Sequence, residues 1–447
     1  MKDLTKGNST RLIIEFAIPV LIGNVLQLLY SLVDTRIVGE TLGNKALAAV
    51  GATNPVNTLI VGFLLGLTNG FAIQVSRSFG AGDIKEMKKA VAGTVKLGLM
   101  VSVVLTILSL VFLKPLLILL NTKDELLNES YAYISIIFAG MTASMLYNIC
   151  AGVLRAIGDT VTPLVFLGVS TALNIAGDLF FIKVLKTGVR GAAAATIIAQ
   201  IISFVLCVIY IWKRYDILRI NKSDFKVPKE MVKKMFQSGL SMGFMMSLVS
   251  LGTVALQGTI NTFNNNIIVA HTAARKITEL YMLLFSVLGT TMATFCGQNL
   301  GAGQIERIRK ALRNVILVSF AWSIIMMILS YTVAPTLIKM VTATDEKEII
   351  DTACKYLKID TLFYFFPAMI CIIRNAMQGI GDHITPIVSS FIELFGKFLI
   401  ATFLAPQIGY MGIIVAEPIV WVLMVLPLIV QIIRNPMLKI PKKYNEQ

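Results

Sequence analysis

Five carboxylates stand inside long apolar runs of this chain: Asp34, Asp178, Glu279, Glu393 and Glu417. An ionisable side chain at membrane depth is costly, so it faces a partner or a wet cavity, and chemistry is expected there first. Gln27, Tyr30 and Asp34 follow at spacings of 0, 3 and 7, which puts them on one helix face. Thr171, Asn174 and Asp178 repeat that spacing, and Thr196 enters the next apolar run from the same end. Asp34, Asn174, Asp178 and Thr196 can therefore meet at one depth. Two carboxylates drawn together in a low dielectric share a proton or hold a cation such as Na+, which is the chemistry of a coupling site. The plainer alternative is polar adhesion between helices or a wet helix end. Glu279 has Lys276 three residues before it and Glu393 has Lys397 four after it, so each pair can neutralise itself along a helix. With Glu417, Gln27, Tyr30 and Asn148, they form the expected lining of a substrate cavity. Pro19 precedes Asp34 in the same run and is expected to kink it, making a hinge.

Other chemistries find little material. There is no Gly-x-x-x-x-Gly-Lys-[Ser/Thr] loop for an on-chain ATP motor and no His-Glu-x-x-His zinc site. The two histidines, His271 and His383, read as boundary residues, and the five scattered cysteines as small buried hydrophobes. Neither an enzyme nor a resident cofactor is expected, and H+ or Na+ is the only expected inorganic partner. The 20 methionines, including Met242, Met245 and Met246, could line an adaptable drug pocket, with packing the simpler reading.

The elements that must position these residues are membrane spans. The chain is 56% hydrophobic and 15% charged, against about 25% charged in soluble proteins, and so much apolar surface must face lipid. A helix needs roughly 20 apolar residues to cross a bilayer. Runs of that kind predict spans at 12–38, 45–75, 90–113, 131–154, 161–183, 190–212, 235–260, 267–296, 311–338, 356–378, 385–405 and 408–433. The polar stretch 213–234 divides them six and six. This gives an N-terminal lobe, 1–212, a basic linker, 213–234, and a C-terminal lobe, 235–447. Alternate connections hold 25 Lys and Arg on one side and 14 on the other, with Lys397 given to the poorer side. The richer side is expected to be cytoplasmic, with both termini inside. The net charge of +15 then reflects topology and not nucleic-acid binding.

The halves repeat. Gly158-Asp159-Thr160-Val161-Thr162-Pro163 recurs as Gly381-Asp382-His383-Ile384-Thr385-Pro386, Gly80-Ala81-Gly82 as Gly301-Ala302-Gly303, and Gly188 with Gly191 as Gly409 with Gly412, at offsets of 223, 221 and 221. Six spans per copy give both copies the same orientation. The expected architecture is therefore an all-α integral membrane protein, with twelve transmembrane helices in two six-helix lobes related by a pseudo-two-fold axis along the membrane normal. The Gly-Asp turns read as structural. In the second copy Asp34 falls near Val254, Asp178 near Ile400 or Ala401, and Thr196 at Glu417. The two aspartates are thus not demanded by the architecture.

Ile18-Pro19, Leu29 through Thr35 with Val38-Gly39, Gly80-Ala81-Gly82-Asp83, Gly158 through Pro163, Asn174 through Asp178 and Gln298-Asn299-Leu300-Gly301-Ala302 together resemble the multidrug and toxic-compound extrusion (MATE) family over about residues 10–435. The resemblance implies a two-lobe exporter that exchanges H+ or Na+ for small amphipathic, often cationic, organic compounds. It implies a monomer in the cell membrane. The family's DinF-like branch places its coupling acids in the N-terminal lobe. These map onto Asp34 and Asp178, with Asn174 and Thr196 beside them. The NorM-like branch uses C-terminal acids, and the seventh span departs from that pattern, with no acid from Gly239 to Ile260. The alternatives are a flippase for a lipid-linked precursor or amphiphilic metabolite, whose mark would be a cavity lined by unpaired cations, and a passive channel.

Overall fold

The first helix, α1 (Ser9–Gly80), is 72 residues long. Unbroken, it would reach roughly 108 Å at 1.5 Å per residue, over three times the hydrocarbon thickness of a bilayer. It is instead two helices joined at Gly43, whose backbone (φ 83°, ψ 177°) lies in a region essentially reserved for glycine. The expected loop between the first two spans is thus reduced to a single residue. A Cβ on Gly43 would meet nothing within 4 Å, so Gly43→Ala isolates backbone strain. It is expected to cost about 1–3 kcal/mol. Thermal unfolding of the detergent-solubilised protein measures this, and an unchanged midpoint would contradict it.

The computed structural model describes residues 2–120 and 122–438, all helices and turns with no strand among the described residues. Lys439, Lys442 and Lys443, counted above for the C-terminus, lie outside the described residues, as does the end of the expected second lobe, 439–447. After α1 come α2 (Ile84–Leu119), α3 (Asp124–Ala139), α4 (Met141–Ala156), α5 (Val161–Asp178), α6 (Val189–Arg214), α7 (Lys229–Ile260), α8 (Asn265–Gly301) and α9 (Ile305–Thr332). A short α10 (Ala334–Thr342) leads to α11 (Lys347–Leu362), α12 (Phe365–Ile380), α13 (Ile384–Leu399), α14 (Ala405–Ile408) and α15 (Tyr410–Arg434). Counting α1 as two spans and each bent pair, α3 with α4 (47°) and α11 with α12 (54°), as one gives the twelve expected crossings.

The repeat is written into the backbone. Gly82 and Gly303 (φ 71° and 72°), Gly158 and Gly381 (81° and 94°) and Gly188 and Gly409 (66° and 63°) all take left-handed angles that other residues resist. Asp159 and Asp382 accept the backbone N–H groups of Thr162 (3.0 Å) and Thr385 (3.2 Å), which starts α5 and α13. A π-helical turn follows each of these helices, at Leu179–Val184 and Ile400–Leu404. Asp178 and Leu399 both directly precede that turn, so Leu399 is Asp178's counterpart, one or two residues from the position expected.

The chain divides into two compact units. One holds the residues up to Leu4 with Ile18–Gly243, and the other holds Thr5–Ala17 with the chain from Phe244. The boundary thus falls inside α7, and another falls one residue before Pro19. In the first unit α5 packs on α6, and α4 on α2 and α6, around a core that includes Phe71, Phe138, Leu113 and Met145. In the second, α12 packs on α8 and α13 on α15. Large apolar side chains remain exposed, among them Val111 and Phe112 on α2 and Phe395 and Phe398 on α13. Water would penalise that surface and hydrocarbon does not.

Candidate coupling site

Asp178 ends α5, and its side chain is fully buried. The Asp34 carboxyl, from α1, lies close enough to interact with it directly. A hydrogen bond between two carboxyl groups requires a proton on one of them, and two bare carboxylates at that distance repel. Each keeps one buried oxygen, Oδ1, without a hydrogen-bond donor among the described residues. The two ends of the Asn174 amide are distinguished by their neighbours. Its nitrogen donates to Asp178 Oδ2 (3.1 Å) and Tyr30 Oη (3.0 Å). Its oxygen faces the backbone N–H and hydroxyl of Thr196, each at 3.0 Å. The structure therefore brings Asp34, Asn174, Asp178, Thr196 and Tyr30 together. Val38, Ile182, Val189 and Ala192 form a small apolar cluster that joins α1 to the start of α6.

Tyr133, on α3, is near enough to both aspartates to feel their charge, and sequence reasoning missed it. It packs against the apolar cluster of Val38, Ile182, Val189 and Ala192, and the only sequence signal was a tyrosine near a span end. Asn148 is not part of the group. Its amide donates to the Ser144 carbonyl (2.8 Å) within α4. Gln27 is exposed on α1. Backbone angles stay helical through Pro19, and the break in α1 is at Gly43 instead.

The second unit holds a different arrangement. Arg275 on α8 pairs with Glu417 on α15 (2.8 Å), Glu417 with Lys397 on α13 (3.4 Å), Lys397 with Glu393 (3.0 Å), and Glu393 with Arg374 on α12 (3.6 Å). Arg374, Glu393, Lys397 and Glu417 are all buried. The expected Glu393–Lys397 pair exists as one link of this longer chain. Two readings change here. Lys397, given to the poorer side among the connections, is buried in α13. Glu417, unpaired in sequence, has two cationic partners. His271 is buried near the start of α8, with its Nδ1 3.1 Å from Tyr410 Oη. Asp360 on α11 was overlooked. It is fully buried beside Arg275, Glu417 and Tyr364, and Tyr356, Asp360 and Tyr364 at i, i+4 and i+8 were its signal. Glu279 is exposed and forms no ion pair with Lys276 among the described residues.

These charges line a cavity of about 280 Å³ inside the second unit, with Met245, Met246, Met282, Met424 and Trp421 on its apolar walls. The methionines read mainly as packing therefore include cavity residues.

A family model described as MatE matches residues 19–180 and 241–404, most of the chain. The chain belongs to the MatE family. It is thus a multi-pass membrane transporter, and the two matched segments correspond to the two copies of the repeat. A Bacillus subtilis (strain 168) relative named multidrug resistance protein YoeA is 28% identical over 85% of this chain and 83% of its own. The Thermotoga maritima relative named multidrug resistance protein NorM is 24% identical over 90% and 87%. Among solved structures, one described as MATE in the bent conformation superimposes with a TM-score of 0.85 at 24% identity, covering 96% of each chain. This MatE fold holds twelve transmembrane helices in two lobes.

Proposed function

We propose that the protein is a secondary active multidrug exporter, which exchanges H+ or Na+ for small amphipathic organic compounds by alternating access. The single observation that carries the coupling is the contact between Asp34 and Asp178 inside a polar cluster that only the first repeat contains. That placement matches the DinF-like branch. A proton suits two facing carboxyl groups. Na+ would need oxygen ligands beyond the two unpartnered ones, so H+ is the coupling ion to test first. Cation binding removes the repulsion between the carboxylates and shifts the population toward a state with span 1 bent at Pro19. Multidrug substrates are supported by the names of the relatives. Cationic charge on them would suit the exposed Glu279 carboxylate on the cavity wall. The flippase alternative has one observation in its favour, the cations that line the second-unit cavity, but Arg275 and Lys397 are closely engaged by glutamates.

In proteoliposomes, an imposed proton gradient is expected to drive accumulation of a fluorescent drug above equilibrium, with drug-stimulated cation release at matched pH and Na+. Simple equilibration would indicate a channel and refute the exchange. We take both termini as cytoplasmic, on the Lys and Arg asymmetry. Single cysteines in 213–234 are then expected to resist an impermeant label in intact cells, and labelling there would reverse the orientation.

A further inference from the structure

The buried ion-pair chain of the second unit alternates Arg275, Glu417, Lys397, Glu393 and Arg374, so it begins and ends on a guanidinium. The ends differ. Arg275 also lies against Tyr356 and feels the charge of Asp360. Among the described residues Arg374 donates from Nη2 to Ser390 Oγ (2.9 Å), and it is held to Glu393 only by a looser ion pair of 3.6 Å, longer than a good charge-assisted bond. A guanidinium carries five N–H donors in a planar fork that matches a carboxylate or phosphate. Arg374 is nine-tenths buried and lines the cavity. Next to it Asn375, also nine-tenths buried, lines the same cavity, and its Oδ1 has no hydrogen-bond donor among the described residues. One wall thus offers donors for an anionic oxygen beside an acceptor for an O–H or N–H. The methionines and Trp421 offer an adaptable apolar surface to the rest of a ligand.

We propose that Arg374 is an anion-recognition residue of this cavity, selecting amphiphiles whose head carries a carboxylate or a phosphate monoester. This rests on the exporter reading and adds to it an anion subsite at Arg374, in the same cavity as the exposed Glu279 that suits a cationic group. The test measures binding with no ion gradient, so it can fail independently of the coupling scheme. The probe is 11-(dansylamino)undecanoate, followed by energy transfer from tryptophan to the dansyl group, with its neutral carboxamide as control. The carboxylate is expected to bind at least tenfold more tightly than the carboxamide, and dodecyl phosphate should displace it. Arg374→Gln should erase the preference while leaving carboxamide binding intact, and Arg374→Lys should restore part of it. Equal binding of acid and carboxamide by the unmodified protein would overturn the proposal, whether or not Arg374→Gln folds. A preference that survives Arg374→Gln would overturn it too. So would displacement by phosphatidylglycerol but not by dodecyl phosphate, which would assign the site to a membrane lipid.

Discussion

Asp34→Asn is expected to reduce gradient-driven export to the level of passive leak, while the protein stays folded and still binds drug. The substitution keeps size and polarity but removes the carboxyl that faces Asp178. An asparagine cannot release a proton, so the pair no longer alternates between a bridged and a repelling state. Asp178→Asn should do nearly the same, and the double variant should be no worse than either single one, because the two act as one unit. Glu279→Gln, at an exposed position in the other unit, should be milder. The measurement is drug accumulation in proteoliposomes under an imposed proton or Na+ gradient. Normal export by Asp34→Asn would move the coupling to other acids, with Asp360 and Glu417 next in line.

Glu393→Ala is expected to act on stability. It removes the carboxylate shared by Lys397 and Arg374, both buried. Breaking a buried ion pair by deleting one partner typically costs about 3–5 kcal/mol, because the remaining charge stays desolvated without compensation. The thermal midpoint in detergent should fall clearly. Adding Arg374→Met should recover part of the loss, since Lys397 keeps Glu417 (3.4 Å) whereas Arg374 is left without a carboxylate, and methionine replaces that orphaned guanidinium with an apolar side chain. If the single variant unfolds at the wild-type temperature, the chain of ion pairs does not hold the helices together. A double variant no better than the single would show that the loss came from packing and not from charge.

Much was legible in the chain itself. Apolar runs set the number of crossings, because length and hydrocarbon thickness leave few alternatives. The paired glycine landmarks revealed the repeat, since a left-handed backbone angle is a local demand that only glycine meets cheaply. The face shared by Asn174 and Asp178, and the one shared by Tyr30 and Asp34, came from helix periodicity. Both faces enter the cluster that the structure assembles. What lay beyond reach depends on which helix stands beside which. Gln27 shares the spacing of Tyr30 and Asp34 yet is exposed, because a helix face is wider than the surface its neighbours cover. Asn148 turns back on its own helix. Tyr133 approaches the aspartates from α3, and no spacing rule within one span says which helix packs beside another. In the second unit, Arg275, Arg374, Lys397, Glu393 and Glu417 come from four helices, and in sequence most looked like loop charges or local pairs. A buried charge can be tolerated only by partners in three dimensions. Whether Arg374 marks a topology or a binding cavity was therefore decided by the packing of α12 against α13 and not by any residue near it in the chain.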